Sequence, residues 1–218
     1  MPSKNTIKTY VENGFYHLYN RGVEKRNIFL DKQDCIIFLR FLKQYLCPKD
    51  ELKMLSGTGL RLDRLVRVNM SEDVELLSFA LMPNHFHLLV KQFDKNAISI
   101  FMKRLSTAYS MYFNKKYERV GPLFQGIYKG SIILDDSYVL HLSKYIHLNP
   151  SKLGETGINF NEFSSYPYYL GTKHAAWVKP EFVLSYFSEQ GGVFGGTYEE
   201  FVEEEVSSEE VLGELTLE

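Results

Sequence analysis

Two short runs of alternating character, split by a two-residue turn, dominate the pattern of this chain. Glu75–Met82 (Glu-Leu-Leu-Ser-Phe-Ala-Leu-Met) predicts a strand, Pro83-Asn84 a turn, and His85–Gln92 a second strand. Along a strand, successive side chains alternate faces, so His85 and His87 point one way while Phe86 and Leu88 point the other. The rest of the pattern builds around this hairpin. Gly14–Gly22 is rich in aromatic residues and predicts an earlier strand. Asp31 can cap a helix carrying Ile36, Ile37, Leu39, Phe41 and Leu42, which ends before Pro48. Ala97–Tyr117 predicts the longest helix, with Ile98, Phe101, Met102, Leu105, Tyr109, Tyr112 and Phe113 at helical spacing. Gly126–Leu134 alternates as a fourth strand, and Asp135 or Asp136 starts a helix that runs to Asn149 and stops at Pro150.

The order strand, helix, strand, strand, helix, strand predicts an α+β, ferredoxin-like antiparallel sheet with helices on one face. An additional helix at 136–149 and a small helical appendage follow it. The expected division is a domain over 1–158 and an extension over 159–218, with helices at Trp177–Phe187 and Tyr198–Glu205 joined by the glycine-rich stretch Gly191–Gly196. Residues 49–73 are polar and weakly patterned, longer than an ordinary connection. Arg61, Arg64 and Arg67 recur there every three residues, as either a phosphate-facing or a solvated helix face.

Charge changes the picture more than composition does. The net charge of −2 conceals a basic body: residues 1–160 carry 23 Lys and Arg against 15 Asp and Glu, a net of +8. Residues 161–218 carry 2 against 12, a net of −10. A basic body with an acidic end is the balance of a nucleic-acid binder with a shielding or solubilising tail. No apolar run reaches the roughly 18 residues of a membrane span, and no signal-peptide core opens the chain, so a cytoplasmic protein is expected. Cys35 and Cys47 form no paired motif, which argues against a disulfide or a cysteine zinc site.

The histidine pair allows two readings by itself: two polar residues on a solvent face, or two imidazoles about 7 Å apart that converge on one metal ion. The helix at 136–149 supplies a possible second half. Val139, Leu142 and Ile146 form its apolar stripe, and Tyr145 lies on the shoulder, with His141 one turn before it and Asn149 one turn after.

The chain resembles the single-tyrosine HUH transposases, and within them the REP-associated tyrosine transposases of bacterial genomes. The resemblance rests on Tyr16–Gly22 with Ile28-Phe29, on Leu81–Val90, on Tyr112-Phe113-Asn114 and on Gly-Pro-Leu-Phe-Gln-Gly at 121–126. It continues through Tyr145–Pro150 and Phe163–Tyr166, about 155 residues in all. It implies that His85 and His87 ligate Mg²⁺ or Mn²⁺ and that Tyr145 attacks a phosphodiester of single-stranded, hairpin-bearing DNA. Asn149 stands where insertion-sequence relatives carry the glutamine that completes the metal site; its side chain is one methylene shorter. Asn20, Arg21, Lys25 and Arg26 fall where relatives approach their DNA. Lys103, Arg104, Lys115, Lys116, Arg119 and Lys129 add charge for backbone contacts. Tyr16, Tyr19, Phe124 and Tyr128 are aromatics that could stack on bases or fill the core. The expected product is a phosphotyrosine and a free 3′-hydroxyl, with no nucleotide cofactor, since no phosphate-binding Gly-x-x-x-x-Gly-Lys-Ser/Thr run is present. The alternatives are a domesticated hairpin-binding protein without turnover and a phosphodiesterase that uses water. Insertion-sequence relatives work as dimers that exchange tyrosines, so a homodimer stays open.

Overall fold

The computed structural model describes residues 10–56, 66–153, 157–187 and 196–204. Strands β1 (Phe15–Arg21), β2 (Val74–Met82), β3 (His85–Gln92) and β4 (Lys129–Ile133) form one antiparallel sheet in the order β2-β3-β1-β4. Helices α1 (Lys32–Leu46), α2 (Lys49–Ser56), α3 (Ala97–Lys116) and α4 (Asp136–Leu148) accompany it. The architecture is the α+β, ferredoxin-like one that the pattern predicts.

Alternation along the strands sorts two cores. Tyr16, Leu18, Phe86, Leu88 and Val90 face α1 and α3, packing with Phe38, Leu42, Phe101, Leu105 and Tyr109. The opposite face carries Leu77, Ala80, Leu89 and Ile133 and packs against Val139, Leu142, Tyr145 and Ile146 of α4. A register shift between Leu76 and Ser78 changes the parity of β2, so that Leu77 and Ala80 both reach the α4 side.

Helix α1 starts where Asp31 accepts from Asp34 N at 3.0 Å, completing a capping box worth about 1 kcal/mol. Its buried stripe is Cys35, Phe38, Leu42 and Tyr45; of the expected stripe Leu42 is buried and Leu39 and Phe41 pack at its edge, whereas Ile36 is half exposed. The fully buried Asp34 carboxylate accepts from Tyr112 Oη, Tyr117 Oη and Lys116 Nζ at 2.7–2.9 Å, tying α1 to α3. The polar stretch after Pro48 contains a second helix, α2, seated by the buried Leu52. Arg61 and Arg64, the link at 191–195 and the acidic run beyond Glu204 lie outside the described residues.

The C-terminal residues join both cores. Phe160, Phe163, Trp177 and Val178 pack with the α1/α3 side, and Val183, Phe187, Tyr198, Phe201 and Val202 with the α4 side. The expected helices are shorter than the pattern suggests: Glu181–Leu184, a 3₁₀ turn Ser185–Phe187, and Tyr198–Glu203 with a Thr197/Glu200 capping box. Among the described residues, no helix is long and apolar enough to cross a membrane.

Candidate active site

Strand β3 presents His85 and His87 on the face that α4 covers. In register, Tyr19 and Ala80 flank His87, while Arg21 and Met82 flank His85. The two imidazoles meet edge to face with centroids 4.9 Å apart. Each ring is held through Nδ1. His85 Nδ1 donates to Asn84 Oδ1 at 2.6 Å, since that oxygen can only accept; in the neutral tautomer this hydrogen bond selects, the lone pair is on Nε2. Asn84 is itself oriented: its Nδ2 donates to Lys25 O at 3.2 Å, which turns Oδ1 toward His85. His87 Nδ1 lies 2.8 Å from His17 Nε2, with the two rings stacked at 5.0 Å. Burial, with His85, His17 and Arg21 nearby, holds His87 well below the ordinary imidazole range, so it is neutral.

The loop after β1 sets this geometry. Gly22 N donates to Asn84 O at 2.8 Å, and a Cβ at Gly22 would sit 2.2 Å from Arg26 O, so only glycine fits. Glu24 and Lys25 follow with φ of 55° and 59°, closing the turn against Pro83-Asn84.

Helix α4 brings the tyrosine. Asp135 Oδ1 caps its start by accepting from Ser137 N at 2.7 Å, and Asn149 ends it with its N–H on Tyr145 O at 3.1 Å. The Tyr145 ring stands edge-on to the His87 ring with centroids 5.7 Å apart, in the same chain, and is 4% exposed. Asn149 is buried, and its Nδ2 has no hydrogen-bond partner among the described residues. His141 is placed against Phe201, away from the histidine pair.

A cavity of about 150 Å³ opens beside the pair, lined by Tyr19, Asn20, Arg21, His85, His87, Gln125 and Lys129. A larger one of about 460 Å³ lies on the α3 side and shares Asn20; Lys103, Ser106, Thr107 and Tyr128 bound it. The predicted basic residues therefore divide. Arg21, Lys129 and Asn20 meet at the histidine cavity, and Lys103 borders the larger one. Lys25 and Arg26 sit on the loop that braces Asn84, with Arg26 3.4 Å from Glu24. Lys115 is exposed at the end of α3, while Arg119 bonds Asn114 Oδ1 at 2.9 Å and lies over Phe113. Arg104 donates to Val68 O at 2.9 Å and Lys116 to Asp31 and Asp34, so both are used within the fold. Of the aromatics, Tyr16 and Phe124 are core residues, and Tyr19 faces the cavity with Lys129 over its ring at 5.9 Å.

Three site residues escape a linear reading. His17 carries a signal only once β1 is paired with β3; Gln125 reaches the cavity from the loop before β4; Asn84 reads first as a turn residue.

The set suits an ion bound through oxygen and imidazole. Two imidazoles with their Nδ1 atoms fixed by neighbours are suited to offer Nε2 to an ion. Among the described residues no group of three His, Cys, Asp or Glu side chains could hold a metal ion. A pair of imidazoles leaves positions open for phosphate oxygens and water, as a catalytic site requires.

Over residues 44–149, from the end of α1 through Asn149, the chain matches the family model described as "Transposase IS200 like". Among solved structures, it is similar to a REP-associated tyrosine transposase bound to a REP hairpin: 15% identity, 79% of this chain and 90% of that one covered, TM-score 0.47. It is also similar to a Deinococcus radiodurans protein described as a candidate transposase: 16% identity, 67% and 95% covered, TM-score 0.36. No curated protein sequence matches the chain.

Proposed function

We propose that this protein is a metal-dependent strand transferase of the REP-associated kind, cleaving and rejoining single-stranded, hairpin-bearing DNA through a phosphotyrosine. One observation carries this most: Tyr145 meets His87 within one chain, at 5.7 Å between rings.

In this account His85 and His87 would hold a divalent ion through Nε2, with Asn149 or Gln125 as the candidate carboxamide partner. When bound, the ion polarises the scissile phosphate and offsets charge on the pentacoordinate transition state. Tyr145 Oη forms the new bond to phosphorus while the bond to the 3′-oxygen breaks. The phenolic proton passes to solvent and the leaving oxygen gains one, giving a 3′-hydroxyl. Attack by a hydroxyl on the phosphotyrosine reverses the step, and because the ester energy is conserved no nucleoside triphosphate is needed. Arg21 and Lys129 supply the positive wall along which the backbone runs, and Tyr19 gives a ring face for an unpaired base.

The near-complete burial of Tyr145 favours a second reading, a hairpin-binding protein that no longer turns over. Incubation with Mn²⁺ and a pool of 3′-labelled hairpin oligonucleotides with randomised single-stranded flanks separates the possibilities. A denaturant-resistant adduct that disappears in Tyr145→Phe is the expected result. No adduct from the whole pool leaves the binding role, and cleavage that survives Tyr145→Phe identifies water as the nucleophile.

A further inference from the structure

We propose that Lys152 is a further catalytic residue, whose ammonium clamps the non-bridging oxygens of the scissile phosphate against Tyr145 during transfer. The inference rests on the strand-transfer activity proposed above.

The turn after α4 points this lysine back at the nucleophile. Pro150 cannot continue the α-helical hydrogen bonding and begins a 3₁₀ turn, Pro150–Lys152. Lys152 N donates to Asn149 O and Leu153 N to Pro150 O, both at 3.2 Å, and Ser151 Oγ bonds Leu148 O at 2.7 Å. With the turn fixed in this way, Lys152 Nζ lies 6.0 Å from the centre of the Tyr145 ring. Lys144, beside Tyr145 in sequence, is turned elsewhere: its Nζ donates to Phe201 O at 2.6 Å and Glu204 O at 2.9 Å. Arg21 and Lys129 line the cavity on the histidine side. Lys152 thus supplies positive charge from the element that carries the nucleophile.

Chemistry gives that charge a use. A phosphodiester enters with one negative charge, and the attacked phosphorus passes through a state with more charge on its non-bridging oxygens. A cation held near the ring of the attacking tyrosine, within a side chain's reach of the phosphate, stabilises that state more than the ground state. Lys152 neither takes nor gives a proton in the step. It is exposed, so replacing it leaves the core intact.

The test compares single-turnover adduct formation, at saturating hairpin DNA and Mn²⁺, for the wild type, Lys152→Ala, Lys152→Gln and Lys152→Arg. The expected result is a roughly ten- to hundredfold slower rate for the Ala and Gln variants. Lys152→Arg should recover most of the rate, since it restores the charge. Hairpin affinity within about twofold of wild type and an unchanged unfolding midpoint should accompany the loss, since one phosphate contact among several carries little of the affinity. A wild-type rate in Lys152→Ala, a slow rate in Lys152→Arg equal to that of Ala, or a change confined to affinity overturns the assignment. Absence of any wild-type adduct overturns instead the strand-transfer activity on which it rests, and is seen before any variant is compared.

Discussion

Asn84 decides which nitrogen of His85 is engaged within the fold. Its carboxamide is gripped from one side by the carbonyl of Lys25 and accepts His85 Nδ1–H from the other, so the imidazole is fixed in both tautomer and tilt. His17 does the corresponding work for His87 from the neighbouring strand. Orienting groups of this type typically set metal affinity by 10- to 100-fold. Asn84→Ala should therefore weaken Mn²⁺ binding, measured by calorimetry, by about that factor, and Asn84→Asp, which keeps the acceptor for His85 but loses the donor to Lys25 O, should fall between Ala and wild type. Equal affinity in Asn84→Ala and wild type would show that the turn residue orients nothing.

At the scale of elements, α4 is held from two sides. Tyr145 faces the sheet, and Ser143 and His147, two residues to either side of it, project from the opposite face, since two residues turn a helix by about 200°. There Tyr198 Oη lies 2.9 Å from Ser143 Oγ and 2.8 Å from His147 Nδ1, and Ser165 Oγ lies 2.6 Å from His147 Nε2. Burial pushes His147 down to about 3 and Tyr198 well above the usual phenol, so both are neutral. Ser165 Oγ also reaches Phe79 O at 3.2 Å and Ser143 Oγ donates to Leu140 O at 2.7 Å, so each hydroxyl and ring nitrogen of the cluster has a partner. The buried ammonium of Lys144 adds a second fastening, at the C-terminal end of the helix Tyr198–Glu203, where a cation complements the carbonyls. Tyr198→Phe strips the hydroxyl that serves two buried partners and should lower stability by about 1–3 kcal/mol in urea unfolding. No change in the midpoint would mean that the C-terminal segment does not hold the helix.

For the whole molecule, local sequence pattern was enough to place the sheet and the tyrosine helix. The alternation in 85–92 and the spacing of Val139, Leu142 and Ile146 each report one element's buried face, and Asp31, Asp135 and Pro150 mark its ends. Ile36 shows where that logic stops: a continuous apolar run has no unique stripe until a partner helix selects one, and α3 selected Cys35, Phe38 and Leu42. The site was half legible for the same reason. His85 and His87 are neighbours along one strand, whereas His17, Gln125 and Lys152 become neighbours only through strand pairing, a loop return and a turn. Charge was legible as a balance, and the structure divides the cations: Arg21 and Lys129 line the histidine cavity, while Lys116 and Arg104 brace helices.

If one chain assembles its histidine pair with its own tyrosine, two inactive variants cannot rescue each other when mixed. His87→Ala lacks half of the histidine pair and Tyr145→Phe lacks the nucleophile. With Mn²⁺ and the hairpin pool that yields an adduct with wild type, each variant alone should give none, and an equimolar mixture should also give none. Recovery of a substantial share of the wild-type adduct in the mixture would show that tyrosine and histidines come from different chains, contradicting the assembly within one chain.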